Sequence, residues 1–393
     1  MPEVTQNLSF EDTSIAFSSK DDAALKHAYR LFRLMNNGNL VQLGTKAATI
    51  ALKLHLPVKG IIRNTIYNQF CGGESLQKTI PVLEDLHKFH VNAILDYGVE
   101  GKEEEAEFEK TITQLKETLK FAATQPNAPY ISCKVTGLTR FNLLEKIGSG
   151  VALSANETAE KKLLHDRMFS LCELAAQSGI GLYIDAEETW IQDAVDDLTF
   201  ELMRTFNTKK AVVYSTPQMY RHDRLAFCHK SLEDAKANNY ILGLKPVRGA
   251  YMNKERRRAL EKGYPSPIQI DKASTDRDYD AVLELAVNNL DRIAVCAATH
   301  NEKSSMFLAE SLLKKGIEPG HQNVRFSQLF GMSDHITYNL AKSGFNTSKY
   351  LPYGPVKDVI PYLIRRAQEN TSVAGSMSRE LSLIYSEIKR RRG

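Results

Sequence analysis

From about residue 90 onward, short apolar runs rich in β-branched residues alternate with longer stretches whose apolar positions recur at helical spacing. Eight runs stand out: VNAILDY (91–97), YISCKVT (130–136), GLYIDAE (181–187), AVVYS (211–215), ILGLKPV (241–247), RIAVCAA (292–298), NVRFSQL (323–329) and SKYLPYG (348–354). Strands alternating with amphipathic helices imply a parallel sheet, and eight of them point to a closed (β/α)8 barrel, a TIM barrel, rather than an open sheet.

Upstream, residues 20–125 read mainly as helix. Ala23 to Met35 is one helical stretch, and helical spacing recurs from Leu43 to Leu56. Glu103, Glu104, Glu105 and Glu107 open a further helix, where negative charge suits the N-terminal end. The expected organisation is a helical N-terminal region (1–88), an α/β barrel (89–376) and a basic amphipathic helix (377–393). In that last segment Leu381, Ile384, Tyr385 and Ile388 form an i, i+3, i+4, i+7 stripe followed by Lys389, Arg390, Arg391 and Arg392. Such a stripe predicts a helix docked on the core with cations at its favourable end; the alternative is a peripheral membrane contact.

A doubly wound sheet would mark a nucleotide site with a glycine-rich turn. Gly148-Ser149-Gly150 does not qualify, because it follows a helix-like segment and Leu153 stands where the third glycine belongs.

Composition narrows the classes further. The 393 residues carry 51 Lys and Arg against 47 Asp and Glu, a net charge of only +4. That is too weak a bias for nucleic-acid binding, and no motif supports one. The five cysteines (Cys71, Cys133, Cys172, Cys228, Cys296) show no C-x-x-C spacing, which argues against a metal cluster or disulfide framework and for a reducing compartment. No run approaches the roughly 18 apolar residues of a membrane span. The start, MPEVTQNLSFEDTS, has neither a basic nor an apolar leader region. The expected location is cytoplasmic, peripheral to the inner face of the cell membrane if the tail binds there, or mitochondrial if a presequence has been removed.

In a barrel of this kind the active site lies at the C-terminal ends of the strands. Those ends read Lys134, then Asp185 with Glu187 and Glu188, Ser215, Lys245 with Arg248, Thr299-His300-Asn301, Gln328 and Tyr350. Ionisable groups converging at the ends of apolar runs mark a site. Asp185, Glu187 and His300 also resemble metal ligands, and Lys134 or Lys245 could form an imine, so a metal- or Schiff-base-dependent lyase or aldolase is the competing chemistry.

The segment after the last run, PYLIRRAQEN, places Tyr362, Arg365, Arg366, Glu369 and Asn370 within two helical turns. Tyr362 and Arg366 share a face, as do Arg365 and Glu369. Two adjacent arginines can grip one anion if the helix lies across the barrel mouth, and the guanidinium fork matches a carboxylate; phosphate is the competing anion.

At these residues the sequence resembles the proline dehydrogenase family. ISCKVTGL, YIDAEETW, LKPVRGAYMNKER, AATHNEKS, SQLFGMSDH and KYLPYGPVKDVIPYLIRRAQEN stand in the family's order across about residues 130–370. The monofunctional bacterial and mitochondrial branch fits better than the bifunctional fusion, because no aldehyde dehydrogenase domain fits in this length. The resemblance implies a distorted barrel holding FAD without a Rossmann motif, oxidation of L-proline to Δ1-pyrroline-5-carboxylate as the first step of proline degradation to glutamate, and electron transfer to a membrane quinone. It also implies that Lys134, Arg365 and Arg366 hold the substrate carboxylate. Ala250, Tyr251, Leu329, Tyr350 and Tyr362 cover the ring, and Asp185 bonds near the cations. Lys245, Val247, Gly249, His300, Asn301, Arg366 and Glu369 match flavin-contacting positions; no metal is implied. Two departures stand out: lysine at 245, where the fusion enzymes carry arginine, and Pro246, where leucine is usual and where a strand N–H is lost. Tyr350 fills space near the ring, which favours unsubstituted proline over hydroxyproline.

Overall fold

The computed structural model describes residues 8–41, 43–44, 59–98, 103–372 and 376–392, without the side chains of residues 59, 61, 367–372 and 376–378. All eight expected strands form: β1 (Val91–Tyr97), β2 (Tyr130–Cys133), β3 (Gly181–Ile184), β4 (Val213–Tyr214), β5 (Leu242–Leu244), β6 (Ile293–Ala298), β7 (Val324–Leu329) and β8 (Thr347–Tyr353). They lie in one sheet in the order β4-β3-β2-β1-β8-β7-β6-β5, with parallel register between β1 and β8, β2 and β3, β3 and β4, and β5 and β6. The two ends of that order meet. Ser215 donates its N–H to Gly243 (3.0 Å) and accepts from Lys245 N–H (2.8 Å), which completes the (β/α)8 ring.

Several strands are shorter than their apolar runs, and the cause is visible at their C-terminal ends. β3 is buried at all four positions, as expected where both faces of a sheet are covered. The ladder then stops where charged residues arrive, at Lys134 after β2 and Asp185 after β3. At β5, Lys245 and Val247 donate toward the β4 side, to Ser215 (2.8 Å) and Pro217 (3.0 Å). Pro246 between them has no N–H to offer the other side, and pairing with β6 ends at Leu244.

The chain packs as two compact units, residues 100–326 and residues 1–99 with 327–393. In the first, the helices Glu105–Ala123 and Ala155–Ser178 are joined through buried Arg167, which binds Glu105, Glu109 (2.8 Å) and the Leu138 carbonyl (2.9 Å). The second of these helices opens on a reciprocal Ser154–Glu157 cap and closes on Gly179 at φ +70°. Glu105 of the acidic run thus has a use beyond complementing a helix dipole. Gly150 follows the helix Phe141–Gly148, so the glycine pair closes a helix and does not follow a strand.

In the second unit the helices Asp22–Met35, Val356–Ser372 and Ser376–Arg390 share one apolar core. Phe17, Leu25, Phe32, Phe70, Val359, Leu363, Leu383 and Ile384 are buried in it, with Leu381 and Ile388 packed alongside. Leu381, Ile384 and Ile388 of the C-terminal stripe therefore dock on this core, whereas Tyr385 is exposed. Two of the four cations that follow the stripe are engaged in ion pairs: Arg391 binds Glu387 (2.8 Å), Asp22 (3.0 Å) and the Lys20 carbonyl (2.9 Å), and Arg390 binds Glu387 (2.8 Å). Most of the helical pattern expected from Leu43 to Leu56 lies outside the described residues. All five cysteines are buried free thiols, and no helix among the described residues is long and apolar enough to cross a membrane.

Candidate active site

The residues expected to form the site divide between the two units. In residues 100–326 the structure brings together Lys134, Asp185 and Lys245. Asp185 lies one residue beyond β3, held by its N–H to the Cys133 carbonyl (2.9 Å). Its carboxylate receives Ser132 Oγ (2.7 Å), Lys134 Nζ (3.2 Å) and the Lys245 ammonium. Burial by itself would raise this acid's pKa. The charges of Lys245 and Lys134, with hydrogen bonds from Lys245 and Ser132, outweigh it and hold the group well below the ordinary carboxylate range. Beneath lies an aromatic floor: Lys245 Nζ stands 5.2 Å from the Tyr183 ring centroid, and Tyr183 packs at 4.8 Å against both Tyr130 and Tyr214.

The loop after β5 carries Val247, Gly249, Ala250 and Tyr251. Val247 is fixed by backbone bonds to Pro217 (3.0 Å) and Met219 (2.8 Å). Gly249 sits at φ +121°, where a Cβ would meet the Tyr220 ring at 2.5 Å, so only glycine lets the loop cross there. Between them Arg248 uses its fork in full, binding Asp276 (2.6 Å), Thr299 Oγ1 (2.6 Å) and Ser304 Oγ (3.0 Å) and lying 4.3 Å from the Tyr279 ring centroid. It ties the β5 loop to the β6 end, where His300 and Asn301 stand, both partly exposed. The Asn301 side chain caps the helix Glu302–Lys314 by accepting from Lys303 (2.9 Å) and Ser304 (3.2 Å). That cap was legible as an asparagine directly before a helix.

In the other unit Leu329 ends β7 beside Tyr350, whose carbonyl accepts Phe330 N–H at 2.9 Å. The turn that follows is pinned by Gly331 at φ +77° and by Lys349, which bonds the Met332 carbonyl (2.6 Å) and Asp334 (2.7 Å). Lys20 closes on the other oxygen of Asp334 at 2.8 Å. Sequence reading missed this buried network; a lysine inside the apolar run SKYLPYG was the signal. Tyr362 and Arg366 are buried and share a helix face, with the guanidinium 5.1 Å from the Tyr362 ring centroid. Arg365 is partly exposed. The side chain of Glu369 lies outside the described residues.

Glu187 was also underread. It is buried, accepting Thr136 Oγ1 (2.5 Å) and N–H (3.2 Å), and burial pushes it up to about 7 against those bonds and the charge of Lys134. Asp185 is thus committed to ammonium groups and Glu187 to Thr136. Among the described residues no three His, Cys, Asp or Glu side chains are placed to hold a metal, so the ligand set of the competing chemistry is not assembled.

Comparison with known proteins gives this site its setting. The family model for proline dehydrogenase matches residues 79–379. Carbapenem antibiotics biosynthesis protein CarD of Pectobacterium carotovorum is 33% identical, over 85% of this chain and 86% of its own length. Mitochondrial proline dehydrogenase 2 of Arabidopsis thaliana is 30% identical, over 99% of this chain and 91% of its own. Among solved structures, proline utilization A from Bdellovibrio bacteriovorus, inactivated by N-propargylglycine, superimposes with a TM-score of 0.72 at 22% identity. That match covers 94% of this chain and 40% of the larger protein, and it supports the barrel fold. The chain belongs to the proline dehydrogenase family of oxidoreductases.

Proposed function

We propose that this protein oxidises L-proline to Δ1-pyrroline-5-carboxylate with FAD as its cofactor and a quinone as the final electron acceptor. The observation that carries the reading is the buried Lys134–Asp185–Lys245 cluster at the strand ends. It contains two ammonium groups and one committed carboxylate, and so retains positive charge for an anionic ligand. Lys134, with Arg365 and Arg366, would hold the proline carboxylate; a water-poor setting makes such contacts strong and fixes the ring. Ala250, Tyr251, Leu329, Tyr350 and Tyr362 would cover the apolar ring and keep water from it.

The residues present fit a flavin. Lys245 supplies a buried cation of the kind that favours added negative charge, and Gly249 brings backbone close without a side chain. His300 and Asn301 stand at a helix N-terminus, whose dipole suits a phosphate. Lys245, Val247, Gly249, His300, Asn301, Arg366 and Glu369 would hold FAD, which supplies hydride acceptance when bound. Proline loses a hydride from the ring carbon and a proton from nitrogen, leaving a C=N bond. The quinone acceptor implies work at a membrane surface.

The product provides the test. Purified protein is incubated with L-proline and an artificial electron acceptor, and the cyclic imine is trapped with 2-aminobenzaldehyde. A coloured adduct formed in proportion to acceptor reduced supports the reading; acceptor reduction without adduct, or neither, overturns it.

A further inference from the structure

Beyond β2 and β3 the chain carries two rungs of side-chain contact, two residues apart. The first is Lys134 to Asp185 (3.2 Å), and the second is Thr136 to Glu187 (2.5 and 3.2 Å). The two carboxylates are equally enclosed, at 8% and 5% exposure. They differ in partners. Asp185 receives two ammonium groups, which fix it as an anion, whereas Glu187 receives a neutral hydroxyl and an amide, which favour its charged form too weakly to offset burial.

The Glu187 backbone is fixed at this place. Its N–H donates to Gln192 Oε1 (2.9 Å) and its carbonyl accepts from Gln218 Nε2 (2.7 Å). The charged groups nearby come from several elements. Lys134 follows β2, and Lys245 follows β5 with its ammonium on Asp185. Glu188 is next in the chain and pairs with Lys254 of the helix Met252–Lys262. Glu255 of that helix is held by Thr189 (2.8 and 2.7 Å), and Asp196 is bound by Gln192 (2.9 Å) and Arg224 (2.7 Å). The cation acting on Glu187 is therefore Lys134, already shared with Asp185.

We propose that Glu187 takes up a proton when a carboxylate ligand binds Lys134, so that the charge of the site stays constant as its anion enters. This rests on the reading of Lys134 as the carboxylate-holding residue. With Glu187 ionised, the field of Lys134 acts on both it and Asp185, and a third carboxylate meets repulsion. With Glu187 neutral, that repulsion falls and the incoming carboxylate takes the vacated share of the field. Proton and carboxylate then bind cooperatively by linkage. Glu187 is a positioning residue here, acting on the ligand through Lys134. Its burial places the exchange near neutral pH, at about 7.

The probe is oxolane-2-carboxylate, a ring of proline's size with an ether oxygen in place of the amine, so that the ligand itself exchanges no proton near neutrality. It is titrated calorimetrically into the flavin-loaded protein at pH 7 in two buffers of different ionisation enthalpy. The expected uptake is about half a proton, and the Kd rises about tenfold per pH unit above 7 while staying level below 6. Glu187→Gln keeps the shape and the Thr136 contact but cannot titrate. It binds with no proton uptake and a Kd level across the range, near the wild-type value at low pH. Wild-type binding without uptake and with a level Kd overturns the inference, whether or not the variant folds; so does full uptake in the variant. Absence of binding at every pH overturns the carboxylate-site reading itself, and this inference with it.

Discussion

Replacing Asp185 by Asn tests whether the centre of the site is an ionised carboxylate held by two ammonium groups. The change keeps shape and the Ser132 contact but leaves Lys134 and Lys245 facing each other with no anion between them. Removing one partner of a buried ion pair costs about 3–5 kcal/mol. If residues 100–326 unfold as one unit, an unfolding entropy of ~0.5 kcal/mol/K turns that into a fall of roughly 6–10 °C in the thermal midpoint. Ser132→Ala removes a single neutral donor to the same carboxylate and falls by about 1.5–3 kcal/mol.

The pH dependence follows from the direction of the shift. The folded pKa of Asp185 lies below its ordinary value of 3.8. Its contribution is therefore complete above that ordinary value and is lost only as pH falls through the lower, folded one. Differential scanning calorimetry of both proteins at pH 5 is the assay: Asp185 is ionised there, and Glu187, pushed up to about 7, is protonated in the wild type. An Asp185→Asn midpoint within 2 °C of wild type, on the same ~0.5 kcal/mol/K scale, would falsify the ion cluster.

Gly249→Ala forces a side chain onto a left-handed backbone and into the Tyr220 ring, and it lowers stability by about 1–3 kcal/mol, read from urea unfolding. An Ala variant as stable as wild type would show that the loop has room. Deleting residues 377–393 strips Leu383 and Ile384 from the core, at about 3–6 kcal/mol for the two side chains. The truncated chain is expected to unfold early and bind a hydrophobic dye. A stable truncated protein that only loses attachment to vesicles would restore the tail as a membrane contact.

Strand positions were legible because burial on both faces writes itself as continuous apolar runs, as in GLYI of β3. Their ends were less so: YISCKVT runs on past Cys133 in sequence, yet the chain turns there to bring Lys134 against Asp185. Residues that carry charge at a strand end were found for the same reason that the strands were, since a lysine after ISC or an aspartate after YI breaks the pattern. What could not be read was partnership across distant segments. Nothing local joins Lys20, Asp334 and Lys349, or shows that Arg248 spans two loops. Likewise, an amphipathic stripe such as Leu381 to Ile388 fits a core and a membrane equally in sequence; the neighbours Phe17, Leu25 and Phe32 show that Ile384 is core. Asn301 illustrates a signal that was present and read for another purpose, because the resemblance suggested a flavin contact where local chemistry also asked for a cap.

The central claim is that this protein takes a hydride from L-proline onto a flavin, and the anaerobic visible spectrum of the purified, FAD-reconstituted protein tests it most directly. The account predicts a yellow flavin spectrum that bleaches on adding L-proline, more slowly or weakly with trans-4-hydroxyproline, and not with lactate. A protein that takes up no flavin, or a flavin that keeps its colour with proline, would contradict it.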